Sequence, residues 1–258
     1  MSFFPQLASG VVTQLPFRRT RNWRAIANVL ESGEQISLAD PDGGAIAWKL
    51  RYSDLTDAEV QSLSALFSAS NGSYGSFTFV DPLANLIAWS EDLSRPDWQP
   101  GQLTTAVGLA DPLGTQRASV IANPSAGAQQ LSQTLAIPGN YVACFSVWLR
   151  SDTPTPVTLQ RDGVQNAIGV TSQWKRYFVT GTGVAGAAQS AFSVAVAAGH
   201  AVICWGFQVE AQPYPSTYRQ TQQAFGIYEE TYFVEDSLTI ANTAPGLSSC
   251  DIDLISRV

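Results

Sequence analysis

The sequence has little charge, and only a minority of that charge is basic. Of its 258 residues 14% are charged, and 14 Lys and Arg stand against 21 Asp and Glu, which gives a net charge of -7. Proteins that bind nucleic acid through the phosphate backbone need a basic surface. We therefore expect no nucleic-acid partner.

Residues that carry metal and nucleophile chemistry are scarce. The three cysteines, Cys144, Cys204 and Cys250, are widely spaced without a CxxC pair, and the one histidine is His200. This pattern argues against a zinc site or a disulfide framework and suits small side chains in a reducing cytosol. The sequence also lacks G-x-S-x-G, a P-loop and a dinucleotide fingerprint. We expect no enzymatic activity, cofactor or metal.

The acidic residues Glu91, Asp92 and Asp97 leave two further alternatives open. Closely spaced carboxylates can bind calcium or act as the acid and nucleophile of a glycosidase. More often such residues cap turns or face solvent, which is the interpretation we favour.

Long apolar runs and a leader are also absent. The start of the chain has no basic segment ahead of an apolar one, so we expect no secretory signal. The most apolar region, residues 191–207, is broken by Gly199-His200, and its large residues alternate. It predicts two strands and a turn rather than a membrane span.

Short alternating strands dominate residues 86–220. In residues 141–150, Phe145 and Leu149 share one face of the predicted strand and Trp148 the other, and residues 174–179 alternate in the same way. Such strands with turns between them predict a β-sandwich of the jelly-roll type. Ile203, Trp205, Phe207 and Val209 are expected to form one core face, with Trp98 packing the start of the sandwich against its end.

Residues 1–85 predict a small β structure with one helix. Strands at 36–38 and 46–50 flank ADPDGG (39–44), where Asp42-Gly43 would supply the positive φ of a hairpin loop. Residues 55–72 predict a helix, because Thr56 and Glu59 form a capping box and Asn71-Gly72 is a typical helix end.

Residues 221–258 contain about three strands, too few to bury a core alone. We predict that they complete the unit begun by residues 1–85 and that residues 86–220 are inserted between the two parts. The predicted fold is thus mainly β: a small β domain with one packed α-helix, interrupted by an inserted jelly-roll β-sandwich.

Two phrases at the ends of the chain resemble distal tail and minor tail proteins of long-tailed bacteriophages. They are WKLRYSDLTDAEVQSLSALFSASNGSYGSFTFVDPL (48–83) and ETYFVEDSLTIANTAPGLSSCDIDLISR (230–257). The middle resembles a carbohydrate-binding-type jelly roll, through NLIAWSEDLSRPDWQ (85–99) and CWGFQVEAQPYPSTYRQT (204–221).

The resemblance implies that the interrupted domain is a small β-barrel with one packed α-helix. It also implies a structural role in a virion. Such proteins form a ring, typically a hexamer, at the distal end of the tail tube, joining the tube protein to a tail-tip hub protein. Assembly would take place in the cytoplasm of the bacterial host, and the sandwich would project outward toward host surface glycans. The alternatives are a free-standing carbohydrate-binding or adhesion protein and, less favoured, a glycan-degrading enzyme.

Aromatic and polar side chains of the sandwich are the predicted glycan contacts. The apolar face of a sugar stacks on flat aromatic rings, and polar groups bind its hydroxyls. The predicted contact residues are Trp148, Arg150, Trp174, Arg176, Tyr177 and Tyr214.

A second group, near the start of the chain, is the predicted contact with other copies or with the tube protein. Its arginines stand out in an acidic chain and would suit an acidic neighbour. The group comprises Phe3, Phe4, Phe17, Arg18, Arg19, Arg21 and Arg24.

Overall fold

A computed structural model describes residues 2–40, 42–223 and 226–257, and they form a mainly β structure with one helix, as predicted. The elements in chain order are β1 (Arg18–Asn22), β2 (Ala25–Val29), β3 (Gln35–Ala39), β4 (Ala45–Thr56), α1 (Asp57–Ala69), β5 (Phe77–Val80), β6 (Thr104–Leu109), β7 (Ala118–Ala122), β8 (Gln129–Leu135), β9 (Val142–Arg150), β10 (Thr155–Arg161), β11 (Val164–Val170), β12 (Lys175–Thr182), β13 (Ser190–Val196), β14 (Ala201–Glu210), β15 (Ile227–Phe233), β16 (Ala241–Ala244) and β17 (Leu247–Arg257).

The chain divides into two compact units. One, here called the framework unit, contains the chain up to Val80 and from Tyr228 onward. The other, the sandwich unit, is Asp81–Ile227. The predicted boundaries at 85/86 and 220/221 therefore lie a few residues inside the sandwich unit.

The framework unit is built on one sheet to which both ends of the chain contribute. Its strand order is β1-β4-β17-β15-β5, with β16 paired to β17. The long β17 runs antiparallel to β4, so that Leu254 lies opposite Trp48. Both side chains are fully buried, and Trp48 also packs against Phe79, with ring centroids 4.8 Å apart. The last strand thus shares a core with strands formed before residue 80.

The helix begins and ends as the sequence predicts. The Thr56 hydroxyl accepts a hydrogen bond from the Glu59 amide at 3.4 Å, and the Glu59 carboxylate accepts one from the Thr56 amide at 2.9 Å. Two N-terminal amides are thereby satisfied. After the helix, Asn71 and Gly72 take positive φ angles of 50° and 67°, which turn the chain back. The helix buries Leu63 and Leu66.

The predicted hairpin across residues 39–44 is wrong. The strand β3 pairs with β2 in a separate two-stranded sheet, whereas β4 pairs with β1 and β17. The turn is made by the Asp40 carboxylate and carbonyl, which accept hydrogen bonds from the amides of Asp42 (3.2 Å) and Gly43 (3.1 Å). Gly43 is not in the left-handed region, and Pro41 lies outside the described residues. A turn does occur here, but neither a positive φ at Gly43 nor the predicted partner of β3 is found.

The sandwich unit consists of two facing sheets, which confirms the predicted β-sandwich. One has the strand order β11-β10-β13-β8 and the other β12-β9-β14-β7-β6. Between them, the rings of Phe145 and Phe192 lie 5.9 Å apart. Alternate residues of β9 point into this core as predicted, and Ala143, Phe145, Val147 and Leu149 are all fully buried.

The two ends of the sandwich unit run side by side. Its opening segment (residues 81–92) bonds to its end, since the Leu86 amide donates to the Val209 carbonyl at 2.8 Å. Between these strands the buried Asn85 donates from Nδ2 to the carbonyls of Phe207 and Arg219 at 2.8 and 2.9 Å. Its Oδ1 accepts from the Val209 amide at 3.1 Å. The Asn85 side chain therefore holds together the segments through which the chain enters and leaves the sandwich unit.

The scarce reactive residues are buried. All three cysteines are free and buried, and burial raises the pKa of Cys144 to about 12 and that of Cys250 to about 11. At neutral pH these thiols remain protonated. Within residues 2–40, 42–223 and 226–257, no helix is long and apolar enough to span a bilayer.

Candidate functional site

The outer face of the five-stranded sheet carries a row of large side chains. Directly opposite residues of neighbouring strands share a face, and Trp148 of β9 lies opposite both Arg176 of β12 and Trp205 of β14. Because the neighbours of Trp148 in β9 point into the core, this row points away from it. Trp148 and Arg176 are half-buried, whereas Trp205 is only 4% exposed.

Two further predicted residues join this row. Arg150 lies two residues after Trp148 on the same face, and its guanidinium is 5.9 Å from the centre of the Trp174 ring. Arg150 also lies 3.6 Å from the exposed Asp152 carboxylate. Together Trp148, Arg150, Trp174, Arg176 and Trp205 are called the aromatic face below.

Trp205 corrects one detail of the sequence prediction. Trp205 and Phe207 were expected on one core face, but a bulge between Trp205 and Gln208 shifts the register. Gly206 takes a φ of 69° there, which a glycine adopts readily. Trp205 is buried as predicted, on the outer face, while Phe207 packs inward against Trp98, with ring centroids 4.8 Å apart.

Residues 211–223, the closing segment, cover part of the aromatic face. The Tyr218 ring lies 4.7 Å from that of Trp205, and the Glu210 carboxylate accepts a hydrogen bond from the Ser216 amide at 3.0 Å. Arg176 donates to the Ser216 carbonyl and, at 2.9 Å, to the Ser146 hydroxyl. Burial lowers the pKa of Arg176, and the negative charge of Glu210 opposes that shift.

The aromatic face contains buried donor atoms that have no acceptor within the described ranges. Trp148 Nε1, Arg150 Nε and Arg176 Nε are buried atoms with no hydrogen-bond partner in the described part of the chain. All three can only donate. A buried donor left unpaired costs free energy.

Tyr177 lies in a different place, the groove between the edge strands β11 and β12. This groove has a volume of about 420 Å³, and Asn166 and Phe178 also line it. The Tyr177 hydroxyl donates to the Gly169 carbonyl at 3.4 Å, and the Lys175 ammonium lies 5.2 Å from the Tyr177 ring centre. The groove is open and adjoins the aromatic face at Arg176.

Tyr214 stands apart from the other predicted glycan contacts. It lies on the closing segment and is 71% exposed. Its carbonyl accepts a hydrogen bond from Gln212 Nε2 at 2.8 Å.

Some of the predicted interface residues of the framework unit are buried in its core, and others lie at its surface. Phe4 is fully buried, with its ring 5.9 Å from Phe77 and 5.4 Å from Phe79. A surface role for Phe4 is therefore wrong, because its ring fills the core. Phe3 and Phe17 are half-buried.

The predicted arginines are at the surface. Arg18, Arg19 and Arg21 lie on the edge strand β1, every residue of which is exposed. Arg24 follows β1 and forms an ion pair with Asp40. The strand β1 therefore presents positive charge on an edge of the framework sheet.

The acidic residues considered for calcium or hydrolysis have separate partners. The Glu91 carboxylate accepts from the Tyr218 hydroxyl at 3.0 Å and pairs with Arg117 at 3.2 Å. Burial raises the pKa of Glu91, and its bonds to Tyr218 and Arg117 counteract that shift. Asp92 instead pairs with Arg95 at 2.7 Å.

Neither the calcium nor the glycosidase alternative gains support from this geometry. Asp97 is exposed, away from a shared ligand position with the other two acids. Throughout the described ranges, no three His, Cys, Asp or Glu side chains gather as metal ligands would. Sequence spacing suggested a cluster, but Glu91 and Asp92 each have their own local partner.

Sequence reasoning missed Arg161, which is fully buried in β10. Its Nη1 donates to the Tyr141 carbonyl at 2.7 Å and also to the Gly181 carbonyl. Burial lowers its pKa to about 10, and the nearby Asp162 opposes the shift. Its acceptors are distant in the sequence, so the residues around Arg161 do not indicate that it is buried. Its contacts join the ends of several strands and give it a structural role.

Comparisons with known proteins found no matching family model and no matching curated protein. Solved structures similar to part of the chain include the xylan-binding CBM22-1 domain of Xyn10C from Paenibacillus barcinonensis, with 16% identity and a TM-score of 0.41 over 52% of this chain and 97% of that chain. TmCBM61 in complex with β-1,4-galactotriose matches with 14% identity and a TM-score of 0.38 over 48% of this chain and 97% of that chain.

A third similar structure is the enzymatically active domain of tailspike protein 4 of bacteriophage CBA120. It has 18% identity and a TM-score of 0.37 over 51% of this chain. The match spans only 22% of the tailspike chain. At these scores the neighbours assign neither a ligand nor an assembly to this chain.

Proposed function

We propose that the sandwich unit binds a glycan at the aromatic face and performs no catalysis. The observation that carries this proposal is the grouping of the half-buried rings of Trp148 and Trp174 with the partly exposed guanidinium donors of Arg150 on one face of the sheet. Indole rings offer flat surfaces to the C–H face of a sugar, and the donors match hydroxyl and carboxylate oxygens of an acidic or neutral saccharide.

The covered half of the face sets the size of the proposed site. Tyr218 and Ser216 occupy the space over Trp205 and beside Arg176, so a sugar would contact the half formed by Trp148, Arg150 and Trp174. Tyr177 and the groove of about 420 Å³ would receive the continuing saccharide. A short stretch of a longer chain is the ligand that suits a shallow face next to an open groove.

The test is binding of the intact chain to an array of bacterial capsular, lipopolysaccharide and cell-wall fragments, followed by calorimetry on the best fragment. Loss of one stacking ring is worth about 1.4 kcal/mol, which is about tenfold in Kd. We expect Trp174→Ala to weaken binding by at least that factor. The matched control is Tyr74→Ala, because Tyr74 is an aromatic residue of the framework unit that is 84% exposed.

Two outcomes would contradict the glycan proposal. One is that no fragment binds above background. The other is that Trp174→Ala and Tyr74→Ala bind the fragment equally well while Trp174→Ala remains folded by near-ultraviolet circular dichroism.

We further propose that the chain is a structural tail protein of a bacteriophage virion, forming a ring at the distal end of the tail tube. Support comes from one observation: both ends of the chain build the framework unit through β4 and β17, and the sandwich lies between them. That order is what the sequence resemblance implies. The tube protein, the tail-tip hub protein and six copies per ring are the expected assembly.

Negative-stain electron microscopy of the purified chain tests this second proposal. The expected result is closed rings of uniform size. A monomer at every concentration, combined with glycan binding, would favour the alternative of a free-standing carbohydrate-binding or adhesion protein. Release of reducing sugar over time would instead contradict the absence of catalysis.

A further inference from the structure

The strands β2 and β3 form a hairpin that leaves apolar side chains uncovered. All ten residues of the two strands are exposed. In this hairpin Ile26 lies directly opposite Leu38, and Ile36 follows on the same face because side chains alternate along a strand. Leu30, at the turn, continues this face. These four residues are 47, 53, 43 and 43% exposed in that order.

An isolated two-stranded hairpin is marginally stable in water. Large apolar side chains gathered on one face of such a hairpin are typical of an interaction surface. The hairpin follows directly on β1, and residues 18–24 (RRTRNWR) contain four arginines and no acidic residue. The hairpin and β1, residues 18–39, are together called the arm. The arm combines the apolar face of the hairpin with the positive charge of residues 18–24, while the exposed Glu31 and Glu34 lie at the hairpin turn.

The same unit contains a groove of complementary character. It has a volume of about 510 Å³, and Tyr232, Phe233, Val234 and Ile255 contribute its apolar lining, with Glu230 and Arg257 as charged neighbours. Residues 229–236 (EETYFVED) contain four acidic residues and no basic one. Glu229, Glu230, Glu235 and Asp236 are all exposed. The groove, called the acidic groove below, is apolar within, and the segment 229–236 beside it is acidic, although Arg257 places one positive charge in the lining.

The strand β1 of the arm and the strand β15 of the acidic groove lie toward opposite ends of one sheet. The strand order begins with β1 and ends with β15 and β5. Contacts between two different surfaces of identical copies are heterologous, and they generate closed rings or open filaments rather than two-fold dimers. The charges favour the arm of one copy against the groove of another, and they disfavour arm against arm.

We propose that the arm of one copy binds the acidic groove of the next copy, head to tail, in a closed ring. This inference rests on the proposed ring function and names the surfaces that build it. The apolar hairpin face would cover Tyr232 and Val234, and the arginines of β1 would face Glu229 and Glu230. The chain thus carries both halves of its own interface.

Sedimentation velocity and native mass spectrometry of the intact chain test the proposal. The first variant is Ile26→Thr with Leu38→Thr, which keeps strand-forming residues and removes apolar surface. We expect the oligomer of the unaltered chain to be replaced by the 27.7 kDa monomer. The matched control is Val107→Thr with Leu113→Thr, two exposed positions of the sandwich unit at 66 and 65%, and it should leave the oligomer unchanged.

A charge-swap experiment makes the test independent of folding defects. One variant carries Arg18→Glu, Arg19→Glu and Arg21→Glu, and the other carries Glu229→Arg, Glu230→Arg and Glu235→Arg. Each should be monomeric alone. An equimolar mixture should form rings of alternating copies, because each reversed arm then meets a reversed groove.

The outcomes separate the inference from the function on which it rests. An unaltered chain that is monomeric at all concentrations contradicts the ring function itself. The assignment of the arm as the interface would be contradicted by rings that persist in the Ile26→Thr, Leu38→Thr variant. It would also be contradicted by a charge-swapped mixture that stays monomeric. Neither result would contradict the ring function.

Discussion

The aromatic face and the arm differ in whether the chain itself covers their large apolar side chains. In the sandwich unit, the closing segment folds back so that Tyr218 covers Trp205 and leaves it 4% exposed. In the framework unit, nothing within the described ranges covers Ile26 and Leu38, which are 47 and 53% exposed. The first surface is completed within the chain, and the second requires a partner. Mutations of the two surfaces should therefore affect different properties.

The largest effect on folding should come from removing the cover of the aromatic face. Tyr218→Ala deletes the ring over Trp205 and the hydroxyl that contacts Ser90 at 2.8 Å and Glu91 at 3.0 Å. We expect the sandwich unit to lose about 3 kcal/mol of unfolding free energy. Urea denaturation followed by tryptophan fluorescence measures this.

Tyr214→Ala is the matched control on the same closing segment. Because Tyr214 is 71% exposed, its removal should change the unfolding free energy by no more than about 0.5 kcal/mol. Equal losses of unfolding free energy in the two variants would show that the Tyr218 ring stabilises the sandwich unit no more than an exposed tyrosine does.

A somewhat smaller loss of unfolding free energy is expected from Asn85→Ala, at the place where the two ends of the sandwich unit meet. The substitution leaves the carbonyls of Phe207 and Arg219 and the amide of Val209 without their side-chain partner. Unpaired buried groups of this kind cost about 2 kcal/mol in sum after local relaxation. Thermal unfolding by calorimetry should show a lower Tm for the sandwich transition. An unchanged Tm would mean that water molecules replace the hydrogen bonds of the Asn85 side chain.

A pH-dependent effect of under about 1 kcal/mol is expected at Glu91, because the hydrogen bond from Tyr218 and the charge of Arg117 offset much of the effect of burial. Burial raises its pKa above the ordinary value of 4.5, so the folded state disfavours the ionised form. The stabilisation of the protonated form is present at low pH and is lost as the pH rises through the raised pKa.

Glu91→Gln isolates this contribution, because every other titrating group is common to both proteins. The unfolding free energy of the variant relative to the unaltered chain should increase as the pH rises above about 4.5 and then level off. A relative stability that decreases over this range would show that the ion pair with Arg117, 3.2 Å away, outweighs burial.

The smallest effect on stability should come from the arm. Ile26→Thr with Leu38→Thr removes surface that is already exposed, so the unfolding free energy of the dilute monomer should change by at most about 0.5 kcal/mol. Denaturation at concentrations too low for assembly measures this value. A loss as large as that of Tyr218→Ala would mean that the hairpin is covered within its own chain.

Local patterns predicted much of this fold. The capping box of Thr56 and Glu59 lies within four residues, and the alternation of β9 is visible along a single segment, so both could be predicted from the sequence. The grouping of Trp148 with Arg150 follows from the same alternation. These features depend on neighbours in the sequence.

The remaining features depend on distant partners. The pairing of β3 with β2 instead of β4 is a choice among strands that the turn does not reveal. The bulge at Gly206 adds one residue to the strand, so Trp205 and Phe207 lie on opposite faces. A single glycine in the sequence is not enough to predict a bulge. Arg161 is buried because carbonyls from other strands converge on it, and Tyr218 covers the aromatic face only after the chain folds back.

Hydrogen–deuterium exchange of the intact chain, at a concentration below assembly and at one above it, tests the central comparison most directly. The account predicts that residues 211–223 are protected at both concentrations, whereas the amides of β2 and β3 exchange rapidly in the dilute sample and slowly in the concentrated one. Equal protection of β2 and β3 at the two concentrations would contradict it, as would rapid exchange of the closing segment.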